Sequence, residues 1–91
     1  MRIDLFLKRC CLVKRRSWAK AACEKGIVAV DGRPVKPSKE VTLGQTISLT
    51  FADRYLEIEI LDLPRGNIPK ASAKQFYRVI RDKQTGPADF L

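Results

Sequence analysis

Between Ile3 and Cys11 the apolar positions Ile3, Phe6, Leu7, Cys10 and Cys11 recur at spacings of three and four, one face of a helix. Arg2, Leu5, Lys8 and Arg9 take the other side. A second helix is predicted over 16–25, where Ala19, Ala22 and Cys23 share a face, and Gly26 suits the left-handed turn that ends many helices. Small side chains there let the two helices approach closely.

After Gly26 the period changes to two. Ile27-Val28-Ala29-Val30 runs into Asp31-Gly32, a tight-turn dipeptide, and then into Arg33-Pro34-Val35. The second of these strands belongs on an edge, because Pro34 has no N–H to give a central ladder. Residues 36–45 form a loop with a turn at Leu43-Gly44. Ile47, Leu49 and Phe51 then alternate with Thr46, Ser48 and Thr50, and Leu56, Ile58 and Ile60 alternate with Glu57 and Glu59. Two amphipathic strands with one solvated face are expected, joined through Ala52-Asp53-Arg54.

Residues 62–72 hold two prolines and a glycine and are expected to be a linker. Ala73, Phe76, Tyr77 and Ile80 then fall at helical spacing and predict a short last helix docked on the sheet, although residues 77–80 also suit a strand. Residues 85–91 are expected to fray. The fold class is α+β: two N-terminal helices packed on a small, mostly antiparallel sheet, with a short C-terminal helix. The expected division is a domain over 1–62 including its hairpin, followed by linker, short helix and tail over 63–91.

At 91 residues the chain holds one domain, and 45% apolar with 31% charged residues makes a small but real core. Charge changes the picture more. The net charge is +8, and residues 1–25 carry eight cations against two acids, so most of the excess sits in the first quarter of the chain. That distribution points to a polyanionic partner. No apolar run is long enough for a membrane span and no secretory segment is visible, so a cytoplasmic protein with no membrane contact is expected.

Enzymatic constellations are excluded by composition. With no histidine, neither a Ser-His-Asp set nor a Cys-His pair can be built, and Cys10, Cys11 and Cys23 have neither the spacing nor the partners of a zinc set. They are expected to be reduced, packed thiols. The five glycines are isolated, so no phosphate-cradling loop occurs. No catalysis, metal or cofactor is expected. The cations behave differently. Arg16 and Lys20 are four apart on one helical face, Lys14 and Arg15 extend it backwards, and Arg2, Lys8 and Arg9 can approach from the first helix. Like charges at this spacing repel by a few tenths of a kcal/mol, and arginines at a helix start oppose the macrodipole. A phosphate backbone offsets both. Trp18 is a candidate for stacking on a base or for covering the core edge.

A helix, a basic turn, a second helix with small residues, then Gly26, Val28, Val30, Asp31-Gly32, Val35, Lys36, Ser38 and Gly44-Gln45-Thr46-Ile47 resemble the RNA-binding domain named after small-subunit ribosomal protein S-four, the αL motif. The likeness covers about residues 2–51. The whole chain is similar to stand-alone members of that family, the ribosome-associated quality-control and heat-shock-protein-fifteen group. The resemblance implies a protein that binds rRNA of the large ribosomal subunit and peptidyl-tRNA carrying a stalled chain, and assists C-terminal tailing of that chain by a partner factor. It maps Arg2 and Arg16 onto the family's RNA-contacting arginines and Asp4 onto its early acid. The expected RNA-binding set is Arg2, Lys8, Arg9, Lys14, Arg15, Arg16, Lys20, Lys36 and Ser38, on a monomer. One departure is that Arg15 stands where many such domains place a Ser or Thr cap, so either Arg15 or Arg16 can face RNA. The alternative reading is an accessory RNA-binding factor in ribosome assembly or rRNA modification.

Overall fold

The computed structural model describes residues 1–84. Helix α1 (Ile3–Arg9) and helix α2 (Arg16–Glu24) pack on each other and lie on a five-stranded antiparallel sheet. The strands are β1 (Val28–Val30), β2 (Arg33–Pro34), β3 (Thr46–Thr50), β4 (Arg54–Ile60) and β5 (Tyr77–Gln84), in spatial order β2-β1-β3-β4-β5. Pro34 therefore lies on the edge its chemistry requires.

Both helices end in the same way. At α2 the Gly26 N–H donates to the Cys23 carbonyl at 3.0 Å and the Ile27 N–H to the Ala22 carbonyl at 2.9 Å, with Gly26 at φ +75°. This pair of bonds is a Schellman motif, which satisfies the last carbonyls of the helix. At α1 the Cys11 N–H donates to Lys8 at 3.1 Å and the Leu12 N–H to Leu7 at 3.0 Å, with Cys11 itself at φ +58°. The helix thus stops at Arg9, short of the predicted Cys11. Continuing it would turn Leu12 to the solvated side; the reversal at Cys11 instead buries both Leu12 and Val13.

Asp31 and Gly32 both take positive φ, +50° and +85°, the requirement of a two-residue hairpin turn between Val30 and Arg33. The Asp31 carboxylate also accepts from the Thr46 N–H at 3.1 Å, tying the turn to β3. Ile47, Leu49, Leu56, Ile58 and Ile60 point into one core with Ile3, Phe6, Leu7, Cys10, Ala19 and Cys23.

The C-terminal helix is present only as a 3-10 helix over Lys70–Gln75. Its predicted extension through Ile80 is not helical: Tyr77 to Gln84 pair with β4 instead. The unpaired edge of β4 and the β-branched pair Val79-Ile80 outweigh the helical spacing of four apolar residues. A register shift opposite Glu57/Ile58 leaves Ile80 out of the ladder, and it is exposed rather than docked. Val79 pairs with Ile58 on the core face but is 50% exposed, because the helices do not reach over β5. The expectation for residues 85–91 lies outside the described residues.

Candidate nucleic-acid interface

Asp4 falls one residue after Ile3 and three before Leu7, on the apolar stripe of α1, and it is completely buried. A buried carboxylate without a counter-charge is costly. Two arginines supply the charge. Arg2 Nη2 donates to Asp4 Oδ2 at 3.2 Å, and Arg16 Nε lies 3.2 Å from the same oxygen, an ion pair whose N–H is not aimed along that line. Each arginine side chain is 42% exposed although its Nε is buried, so the carboxylate holds each from behind while part of the side chain faces outward.

The same contact resolves the charge at the start of α2. Its first turn contains no acid, and Arg15 at the N-cap makes no side-chain cap. Asp4 of the neighbouring helix brings the negative charge that the helix N-terminus favours. Arg16 is thereby committed to Asp4, whereas Arg15 is exposed just before the helix.

The loop after β2 completes the site. The Ile3 N–H donates to the Lys39 carbonyl at 2.8 Å, the Asp4 N–H to Pro37 at 3.3 Å, and the Val41 N–H to Met1 at 2.9 Å. Loop carbonyls thus satisfy the start of α1, where no side chain caps it. This brings Lys36, Pro37 and Ser38 beside Arg2, and with Lys20 and Glu24 of α2 they line a cleft of about 440 Å³. Three cations and a hydroxyl facing one open cleft suit phosphate groups.

Of the residues selected from the sequence, Arg2, Lys20, Lys36 and Ser38 share this cleft, and Arg16 joins them through Asp4. Lys8 and Lys14 line a different cleft of about 280 Å³, with Lys70 from the 3-10 helix. Arg9 does neither: its Nη1 donates to the Pro64 carbonyl at 3.3 Å and so holds the segment that follows β4. Sequence reading passed over Glu24, Pro37 and Lys70. Glu24 was visible as the next step of the Arg16, Lys20 series at spacing four, whereas Lys70 is brought in by the return of the chain along β4 and has no local signal.

The buried thiols of Cys10 and Cys23 are unsuited to nucleophilic chemistry. Burial, and secondarily Cys11, pushes the Cys10 thiol up to about 12, and burial, then Asp4 and Glu24, raises Cys23 to about 11. Among the described residues no group of three or more His, Cys, Asp or Glu could hold a metal, and no helix is long and apolar enough to cross a membrane.

Residues 1–47 match the family model of the S4 domain. The chain is 35% identical over 85 residues to the RQC P-site tRNA stabilizing factor of Listeria monocytogenes, covering 93% of this chain and 91% of that protein. It is 45% identical over 71 residues to a Helicobacter pylori protein of the same name, covering 77% and 84%. Among solved structures, heat shock protein 15 of Vibrio cholerae, described as trimeric, superposes with a TM-score of 0.80 at 32% identity, over 87% of this chain and 80% of that one. The solution structure of the hypothetical protein HP1423 gives 0.77 at 39% identity, over 89% and 98%.

Proposed function

The chain belongs to the S4 domain family, in the group of the RQC P-site tRNA stabilizing factors, and on that premise we propose that it is a non-catalytic protein of ribosome-associated quality control. It binds rRNA of the large ribosomal subunit and the peptidyl-tRNA held there. By keeping that tRNA in place it assists C-terminal tailing of the stalled chain by a partner factor. It works as a monomer in the cytoplasm.

The observation that carries this reading is the Asp4 clamp: one buried carboxylate holds two half-exposed arginines, Arg2, which lines the cationic cleft, and Arg16 of α2 beside it. Preset guanidinium groups recognise phosphate at fixed spacing with little further ordering on binding. Arg2, Arg16, Lys20, Lys36 and Ser38 form the primary contact, with Lys8, Lys14 and Arg15 extending it. Phosphate contacts carry little sequence information, so selectivity rests on RNA shape and on the partner.

Sedimentation with separated ribosomal subunits tests the reading. Wild type is expected to co-migrate with the large subunit, and Arg16→Ala and Arg2→Ala, folded by circular dichroism, to remain at the top of the gradient. Affinity for RNA should fall linearly on a log-log plot against salt, with a slope of about −0.7 to −0.9 per neutralised phosphate. Variants that co-migrate as well as wild type, or a protein that never leaves the top, would overturn it.

A further inference from the structure

The cationic cleft uses only one flank of α2. On the other flank Trp18, which is 48% exposed, lines a groove of about 360 Å³ with Ala21, Ala22, Lys25, Ile27 and Phe51. The groove is built by the Schellman motif, which folds Ile27 back onto the last turn of α2. Its floor is apolar and its one charged lining residue is a cation.

We infer that this groove is a stacking site for an unpaired RNA base, with the indole of Trp18 as the platform and Lys25 against the neighbouring phosphate. The inference rests on the RNA-binding reading of the opposite flank. Three observations favour a base over an apolar peptide. An exposed indole with a cation beside it is the combination that binds single-stranded nucleic acid, where every base offers a π-face. The way from the groove to the cationic cleft is short: helical spacing places Ser17 and Ala21, both small and exposed, between Trp18 and the Arg16, Lys20 flank, with the acid Glu24 one turn further along that flank, so a strand can cross α2 over its first two turns. Arg15, exposed one turn back from Trp18, adds positive charge at the near end. The site reads strand state, distinguishing loops and ends from continuous duplex.

Trp18 is the only tryptophan, so its emission reports on the groove directly. The protein would be titrated with an RNA hairpin carrying an unpaired loop and with a blunt duplex of the same stem, following indole emission and, separately, the anisotropy of labelled RNA. The hairpin is expected to quench the emission and the duplex to bind without quenching. Trp18→Phe should retain hairpin affinity. Trp18→Leu, which still covers the apolar floor but offers no ring, should lose roughly ten-fold for the hairpin and less than about two-fold for the duplex. Hairpin binding by Trp18→Leu equal to wild type, or unchanged emission at saturation while Arg16→Ala still abolishes binding, would overturn the stacking site and leave the cationic surface standing. Failure of both RNAs to bind would instead remove the premise, the RNA-binding reading itself.

Discussion

Asp4 is the residue on which the surface depends most. It lies behind Arg2 and Arg16 rather than in the cleft, and it touches the same oxygen to both. Removing one member of a buried ion pair costs about 3–5 kcal/mol, but half-exposed guanidinium groups recover hydration when released, so Asp4→Ala is expected to cost about 1–3 kcal/mol. Urea unfolding at constant m reads that loss directly. A merely structural acid would stop there. Asp4→Ala is also expected to weaken RNA binding, and by less in an Arg16→Ala background than in wild type, with a coupling of about 1 kcal/mol in a double-mutant cycle; additive effects would show that Asp4 supports the fold alone. Part of this was legible in advance. The spacing of Ile3, Asp4 and Leu7 puts a carboxylate on an apolar stripe, which demands a buried counter-charge. Which cation answers was not legible, because Arg15 and Arg16 are adjacent in sequence and only the approach of α1 to α2 separates them.

At the scale of elements, chain reversals mark where pattern reading succeeds and where it stops. Gly26 announced the end of α2 because glycine alone takes a left-handed turn without strain, whereas the same motif at α1 uses a cysteine, which carries no such signal. The two sites therefore respond with opposite sign to complementary substitutions. A side chain at Gly26 meets nothing within 4 Å, so Gly26→Ala is charged only for the left-handed backbone and should lower stability by about 1–2 kcal/mol. Cys11→Gly removes the same strain and should raise stability by about 1 kcal/mol, with urea midpoints giving both signs in one experiment. The helix expected over 73–80 failed for a different reason. Four apolar residues at helical spacing also fit a strand that carries one irregularity, and the register shift opposite Glu57/Ile58 supplies it. What decided between them was the open edge of β4, a tertiary fact. The resulting pair then gains a cross-strand ion pair on each face: Arg78 with Glu59 on the outer face, and Arg54 with Asp82, at 3.0 and 2.8 Å, next to Leu56 on the inner face.

Taken whole, the molecule separates its titratable core from its charged surface. Cys10 and Cys23 lie in the packing between helices and sheet, with Cys10 held up to about 12 and Cys23 to about 11 from a starting value of 9.0, and burial raises the Tyr77 phenol as well. The unfolded chain releases these thiol protons near pH 9 while the folded chain keeps them, so above that pH the unfolded state binds fewer protons and the fold loses stability. The contribution is fully present below pH 9.0 and is lost progressively as pH rises to about 11 and then about 12. Replacing both buried thiols with alanine should lower stability at neutral pH by opening space in the core, yet flatten the alkaline limb, so the urea midpoints of the two proteins should converge as pH rises above 9. Parallel limbs would show that the thiols ionise equally in both states. The surface follows another rule. The chain has no histidine, the one side chain that ordinarily changes charge near neutrality, so RNA affinity, read from the anisotropy of labelled RNA, is expected to be flat from about pH 6 to 8.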